Sequence, residues 1–220
     1  MLETLKTLIL FVSALFPIVN PLGGSPIFLV LTRDYSTDAR KLLSQRIAVN
    51  SFILMLASFL VGTHILSFFG ISLPVVQVGG GLIVISSGWA MLNQKEQADR
   101  GSAHRDVKPE EIFSHAFYPL TLPLTVGPGS ISVAITLGAN ATRHFGPSLL
   151  SILAAVIGSA LIAVSIFLCY GFADRLERLI GSTGMSVIMR LSSFLLVCIG
   201  VQIVWNGVSA LLRSLPAMPR

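Results

Sequence analysis

Two stretches of this chain hold residues able to bind a solute through the polypeptide backbone. The first reads Phe16-Pro17-Ile18-Val19-Asn20-Pro21-Leu22-Gly23-Gly24-Ser25-Pro26, the second Leu122-Pro123-Leu124-Thr125-Val126-Gly127-Pro128-Gly129-Ser130-Ile131-Ser132. Each sits inside a segment otherwise apolar enough to cross a membrane. Proline removes an amide donor and glycine loosens the backbone, so a helix through either stretch is expected to break. A half-helix restarting there presents free N–H groups and partial positive charge, a seat for a carboxylate. Ser25 before Pro26 resembles an N-cap with proline at the first helical position, and Pro128 can play the same part in the second stretch. The carboxylate is expected near Gly24–Ser25 or near Gly129–Ser130. Carbonyls without partners on the other side of each break, from about Phe16–Val19 and Pro123–Val126, can receive an ammonium group or a cation. Together the two poles match a zwitterion without any charged side chain.

The candidate substrate contacts are therefore Asn20, Pro21, Gly23, Gly24 and Ser25 in the first break and Thr125, Gly127, Gly129 and Ser130 in the second. The Asn20 amide either satisfies freed backbone or touches substrate, and these roles are compatible. Thr121 is a similar candidate. No Asp or Glu falls inside an apolar run, which argues against a proton relay or sodium site built from membrane carboxylates. Ion coupling, by proton or sodium, then falls to carbonyls, hydroxyls and amides, or to a histidine. His64 reads as an interface residue or as a proton-coupling group. Arg190, between Met189 and Leu191, reads as an arginine that snorkels to the interface or as a gate. Asn50, Gln202 and Asn206 suit interhelical hydrogen bonds, and Trp89 and Trp205 suit packing or interface anchoring. Cys169 and Cys198 read as small hydrophobes, with no disulfide framework or metal-ligand spacing, so no metal or cofactor is expected. Ser130 superficially suggests a serine nucleophile. There is no Gly-x-Ser-x-Gly motif, and only His64 approaches membrane depth as a base, so an intramembrane enzyme is a minor reading.

The elements that must position these residues follow from composition. Of 220 residues 53% are hydrophobic and 11% charged, where a soluble domain carries about 25% charged. The bilayer is thus the expected solvent, and the net charge of +5 lies in loops rather than in a nucleic-acid patch. Spans are expected at Thr7–Leu31, Ile47–Phe69, Leu73–Leu92, Phe113–Leu137, Pro147–Phe172 and Met185–Leu212, each near the ~20 residues that cross a bilayer. Met1-Leu2-Glu3-Thr4-Leu5-Lys6 lacks the charged region and cleavage site of a signal peptide and reads as retained. Arg33, Arg40, Lys41, Arg46, Lys95, Arg100, Arg105, Lys108, Arg175 and Arg178 share one side, against Lys6, Arg143, Arg213 and Arg220 on the other. The positive-inside rule makes the first side cytoplasmic and leaves both termini outside.

Spans one and four share the break. Spans three and six share a polar residue followed by small residues and then a β-branched and leucine run, from Gln77 and from Arg190. Three spans per half implies inverted topology, as in many secondary transporters. The expected fold is an all-α membrane protein of six transmembrane helices, arranged as two inverted three-helix repeats with spans one and four broken. Residues 1–92 form the first repeat, 93–112 a polar cytoplasmic linker and 113–220 the second repeat.

Asn20-Pro21-Leu22-Gly23, Phe69-Gly70-Ile71-Ser72-Leu73-Pro74, Pro123 through Gly127-Pro128-Gly129, and Leu196-Val197-Cys198-Ile199-Gly200-Val201-Gln202 with Asn206-Gly207 form an ordered set. Over essentially the whole chain this set resembles the MarC/SnatA family. The resemblance implies six spans with the termini outside and transport of small neutral amino acids such as alanine and glycine. Many relatives have arginine where this chain has Gln77, so Gln77 and Arg190 mark a departure in a pair with a gating role. The expected function is a secondary transporter of small neutral amino acids in the cytoplasmic (inner) membrane, using alternating access. Its partners are the amino acid and the lipid bilayer, with no nucleic acid. An exporter of drugs or other small metabolites on the same fold is the alternative.

Overall fold

A computed structural model describes residues 2–32, 35–93, 115–142 and 149–214. The expected linker beyond Asn93, together with Arg33, Arg143, His144 and Arg220, lies outside the described residues. Within them the chain is helical, with eight segments and no strand. These are α1 (Leu2–Val19), α2 (Pro21–Leu31), α3 (Thr37–Phe68), α4 (Leu73–Leu92), α5 (Ala116–Thr125), α6 (Pro128–Thr142), α7 (Leu149–Gly171) and α8 (Ala173–Arg213). Leu5–Leu31, Thr37–Phe68, Leu73–Leu92, Leu149–Gly171 and Thr183–Arg213 are long and apolar enough to cross a membrane. The bent pair α5–α6 makes a sixth if counted as one span.

Local chemistry sets the boundaries. The Ser36 hydroxyl caps α3 by accepting from the Ala39 amide at 3.2 Å. Gly70, at φ 66°, turns the chain between α3 and α4 in a conformation that favours glycine. Gly181, at φ 77° and ψ 166°, separates residues 173–180 from the apolar length of α8. Two boundaries differ from the expected ones. The second span begins ten residues earlier, at Thr37, because the polar start of α3 continues the helix outward from its apolar part. The segment carrying Arg175 and Arg178 is a helical turn structure rather than a loop.

The main core joins α1, α2, α3, α5, α6 and α7 through Phe11, Leu15, Phe28, Leu43, Ile47, Met55, Leu120, Ala134, Ile162, Ile166 and Tyr170. Large apolar side chains such as Ile9, Ile53, Leu82, Leu161 and Leu195 point outward. Outward leucine and isoleucine suit lipid, and small residues mark where helices approach closely.

Beside this core α4 packs along α8 in antiparallel register. Glycine carries the contact. A Cβ on Gly81 would stand 2.8 Å from the Gly200 carbonyl, one on Gly88 2.9 Å from the Ser193 carbonyl and one on Gly207 2.6 Å from the Pro74 carbonyl. Each distance is shorter than a methyl group tolerates, so the backbones touch because no side chain intervenes.

The packing partners come in matched pairs. The α3 helix packs on α7 and α4 on α8; α2 packs on α8 as α6 does on α4; α1 packs on α7 as α5 does on α3. At one end of the bundle Arg40 of α3 forms an ion pair with Asp174 of α8. Tyr35, just before α3, shares a 2.8 Å hydrogen bond with His115 Nδ1 at the start of α5. The starts of α3, α5 and α8 therefore lie together.

Candidate functional site

The break between α1 and α2 is one residue long. Asn20 sits at φ 49° and ψ 57°, in the left-handed region that Asn tolerates better than most residues. Its amide donates to the Phe16 carbonyl at 2.9 Å, closing α1, and its carbonyl accepts from the Gly24 amide at 2.9 Å, opening α2. Its side-chain Oδ1 caps α2 by accepting from the Gly23 amide at 3.1 Å. Pro21 follows at the first helical position, where its missing N–H costs nothing.

This corrects the expected cap at Ser25. Ser25 lies inside α2, fully buried, and its hydroxyl donates to the Leu22 carbonyl at 2.7 Å. That carbonyl is the one Pro26, lacking an amide hydrogen, would leave unpartnered in a regular helix. Ser25 repairs the helix rather than starting it. The Phe16 carbonyl, expected to be free, is likewise occupied by Asn20.

The second break is longer. Across α5 the residues preceding Pro119 and Pro123, Tyr118 and Leu122, adopt extended backbone, as pre-proline residues tend to. The Val126 amide reaches five residues back to the Thr121 carbonyl at 2.9 Å, so the turn is wider than an α-helix. Two threonine hydroxyls supply donors: Thr121 to the Ala116 carbonyl at 2.6 Å and Thr125 to the Leu120 carbonyl at 2.7 Å. The chain then bends 69° into α6, whose first residue is Pro128 as expected.

Between the breaks lies a cavity of about 60 Å³. From the first break it is lined by Ile18, Val19, Asn20 and Gly24, and from the second by Pro123, Leu124, Thr125, Gly127, Gly129 and Ser130. Ile83, Val84, Ser87 and Met91 of α4 and Leu196 of α8 close the wall. Among the described residues no charged residue lines it. Its polar lining residues are Asn20, Ser87, Thr125 and Ser130. The Nδ2 of Asn20 is buried with no hydrogen-bond partner, leaving two donor hydrogens unspent.

Of the nine residues expected to contact substrate, Asn20, Gly24, Thr125, Gly127, Gly129 and Ser130 are brought together here. Pro21, Gly23 and Ser25 are buried outside the lining; a Cβ on Gly23 would run into the Asn20 side chain and Ser192. Arg190 and His64 are exposed, Gln77 is partly buried, and none of the three lines the cavity. Gln202 bonds Asn206 along α8 at 2.9 Å, so this pair is intrahelical rather than interhelical, whereas Asn50 does reach across to Thr121 at 3.5 Å. Among the described residues no group of three or more His, Cys, Asp and Glu is placed to hold a metal.

One residue escapes the sequence reading. Tyr170 of α7 is buried, with its hydroxyl 3.1 Å from Thr125 Oγ1 and its ring stacked on Phe28. The available signal was a phenol in an apolar run, which needs a polar partner when buried.

Helices of membrane-crossing length around a neutral cavity, two of them interrupted beside it, define an integral membrane protein. Comparison with known proteins agrees. The sequence model described as "MarC family integral membrane protein" matches residues 5–212. The inner membrane protein MarC of Salmonella typhimurium is 33% identical over 97% of this chain and 99% of its own length. Its counterpart from Escherichia coli O1:K1 is 31% identical over the same shares. No solved structure matches. The chain belongs to the MarC family.

Proposed function

We propose that this protein is a secondary transporter of small neutral amino acids, alanine or glycine in type, working by alternating access in the inner membrane. The observation that carries the reading is the neutral cavity where the two breaks meet. A cavity of about 60 Å³ suits a solute of a few heavy atoms, such as glycine or alanine, better than a bulky drug, which weighs against the exporter alternative. The zwitterion's carboxylate faces the first turn of α6 at Gly129 and Ser130 and the unspent donors of Asn20. Its ammonium faces the Thr125 hydroxyl oxygen. The enzyme reading has little support, since His64 does not line the cavity that holds Ser130.

The matched packing of α1–α4 and α5–α8 supports two inverted repeats with broken first helices, related about the cavity. The shared end of α3, α5 and α8 carries Arg40, Lys41, Arg46, Arg175 and Arg178, which supports a cytoplasmic assignment for that end and external termini. The relatives' printed name supports the inner membrane. The test is uptake of labelled L-alanine into proteoliposomes. Saturable flux competed by glycine is expected; no saturable flux for any small neutral amino acid would end the proposal.

A further inference from the structure

Tyr170 belongs to neither break yet touches both. Its hydroxyl lies 3.1 Å from Thr125 Oγ1 on one side. On the other, a Cβ on Gly24 would fall 2.5 Å from the same hydroxyl oxygen. Its ring is held on Phe28 of α2, with centroids 4.7 Å apart and planes 14° apart.

The direction of the Tyr170–Thr125 bond follows from Thr125. A threonine hydroxyl has one proton and two acceptor lone pairs. The Leu120 carbonyl, 2.7 Å away, can only accept, so it takes the proton. Tyr170 must then be the donor. Thr125 reaches the cavity with one lone pair left and no proton to give. Asn20, in the opposite lining, is its complement: Oδ1 is spent on the Gly23 amide and the Nδ2 hydrogens, buried in this conformation, are unspent.

We propose that Tyr170 is a positioning residue that fixes Thr125 as an acceptor-only group. The cavity thereby gains a donor end at Asn20 and an acceptor end at Thr125, and favours solutes carrying an N–H or O–H donor next to a carboxylate. This rests on the transport reading above and adds the residue that sets which way round the solute lies.

The test compares alanine with propionate, which keeps the carboxylate and lacks the donor, as inhibitors of labelled L-alanine uptake. Wild type, Tyr170→Phe, Thr125→Val and the double variant are used. Tyr170→Phe keeps the ring on Phe28 and deletes the donor. Alanine affinity is expected to fall about threefold to tenfold in each single variant while propionate inhibition stays unchanged. The double variant should be no worse than Thr125→Val, since both changes remove the same interaction. Thr125→Ser, which keeps the hydroxyl, should retain the preference for alanine and serves if Tyr170→Phe fails to insert. Parallel loss for alanine and propionate, effects that multiply in the double variant, or loss of the preference in Thr125→Ser would overturn the assignment. Wild-type protein that moves no alanine would remove the transport reading and this proposal together; wild-type flux with an unchanged alanine-to-propionate ratio in the variants would remove this proposal alone.

Discussion

At the first break the chain leaves the helix for a single residue, Asn20, and Leu5–Leu31 runs on as one apolar unit. At the second it unwinds across Ala116–Thr125 and turns 69° before α6 begins. The difference lies in who repairs the backbone. Asn20 supplies its own cap, and Ser25 mends the one carbonyl that Pro26 leaves. In α5, with Pro119 and Pro123 four residues apart, Thr121 and Thr125 each take a carbonyl from five residues back. At both breaks polar side chains are thus spent first on the backbone.

Substitutions at five positions probe the two breaks and their surroundings. Gly129→Val should have the largest effect. Any Cβ there collides with Val84 and comes within 3.4 Å of the Gly80 carbonyl, so flux should fall more than about tenfold while membrane insertion, read by immunoblot of the membrane fraction, persists. Asn20→Asp keeps the capping oxygen but replaces the donor with a negative charge. The expected signature is an alanine KM raised about tenfold; Asn20→Ala loses the donor together with about 1 kcal/mol of cap. Thr121→Val strips the Ala116 carbonyl of its donor in a fully buried site and should cost about 1–3 kcal/mol in thermal denaturation. Ser25→Ala, whose bond is only part-buried, should cost less; a reversed order would erase the contrast drawn between the breaks. Arg190→Gln should be the smallest, changing flux by less than about twofold, because the side chain is exposed and away from the cavity. A large loss there would restore the gate reading.

The places where the helices break were legible because proline and glycine act locally. The residue that caps the first break was not. Asn20-Pro21 and Ser25-Pro26 both satisfy the same cap-and-proline rule, and only the three-dimensional bond to Gly23 chooses between them. That Arg190 lies on a helix was legible, but which face of α8 carries it was not, since the segment is apolar nearly all round. Tyr170 was invisible for a different reason. Its role comes from Thr125, 45 residues earlier, and no spacing along the chain encodes that meeting. Of the carbonyls expected to be free, that of Phe16 was misjudged, because the Asn20 amide reaches back to it across the break.

The glycine contact between α4 and α8 has a bearing on leakage. Val84 on one helix and Leu196 on the other form part of the cavity wall, only a few residues from Gly81, Gly88 and Gly200. A methyl group on any of those glycines would act as a shim, prising the two staves apart and letting acyl tails seep into the hollow. The seam is a gasket made of missing side chains: it keeps the hollow from becoming a crack filled with lipid.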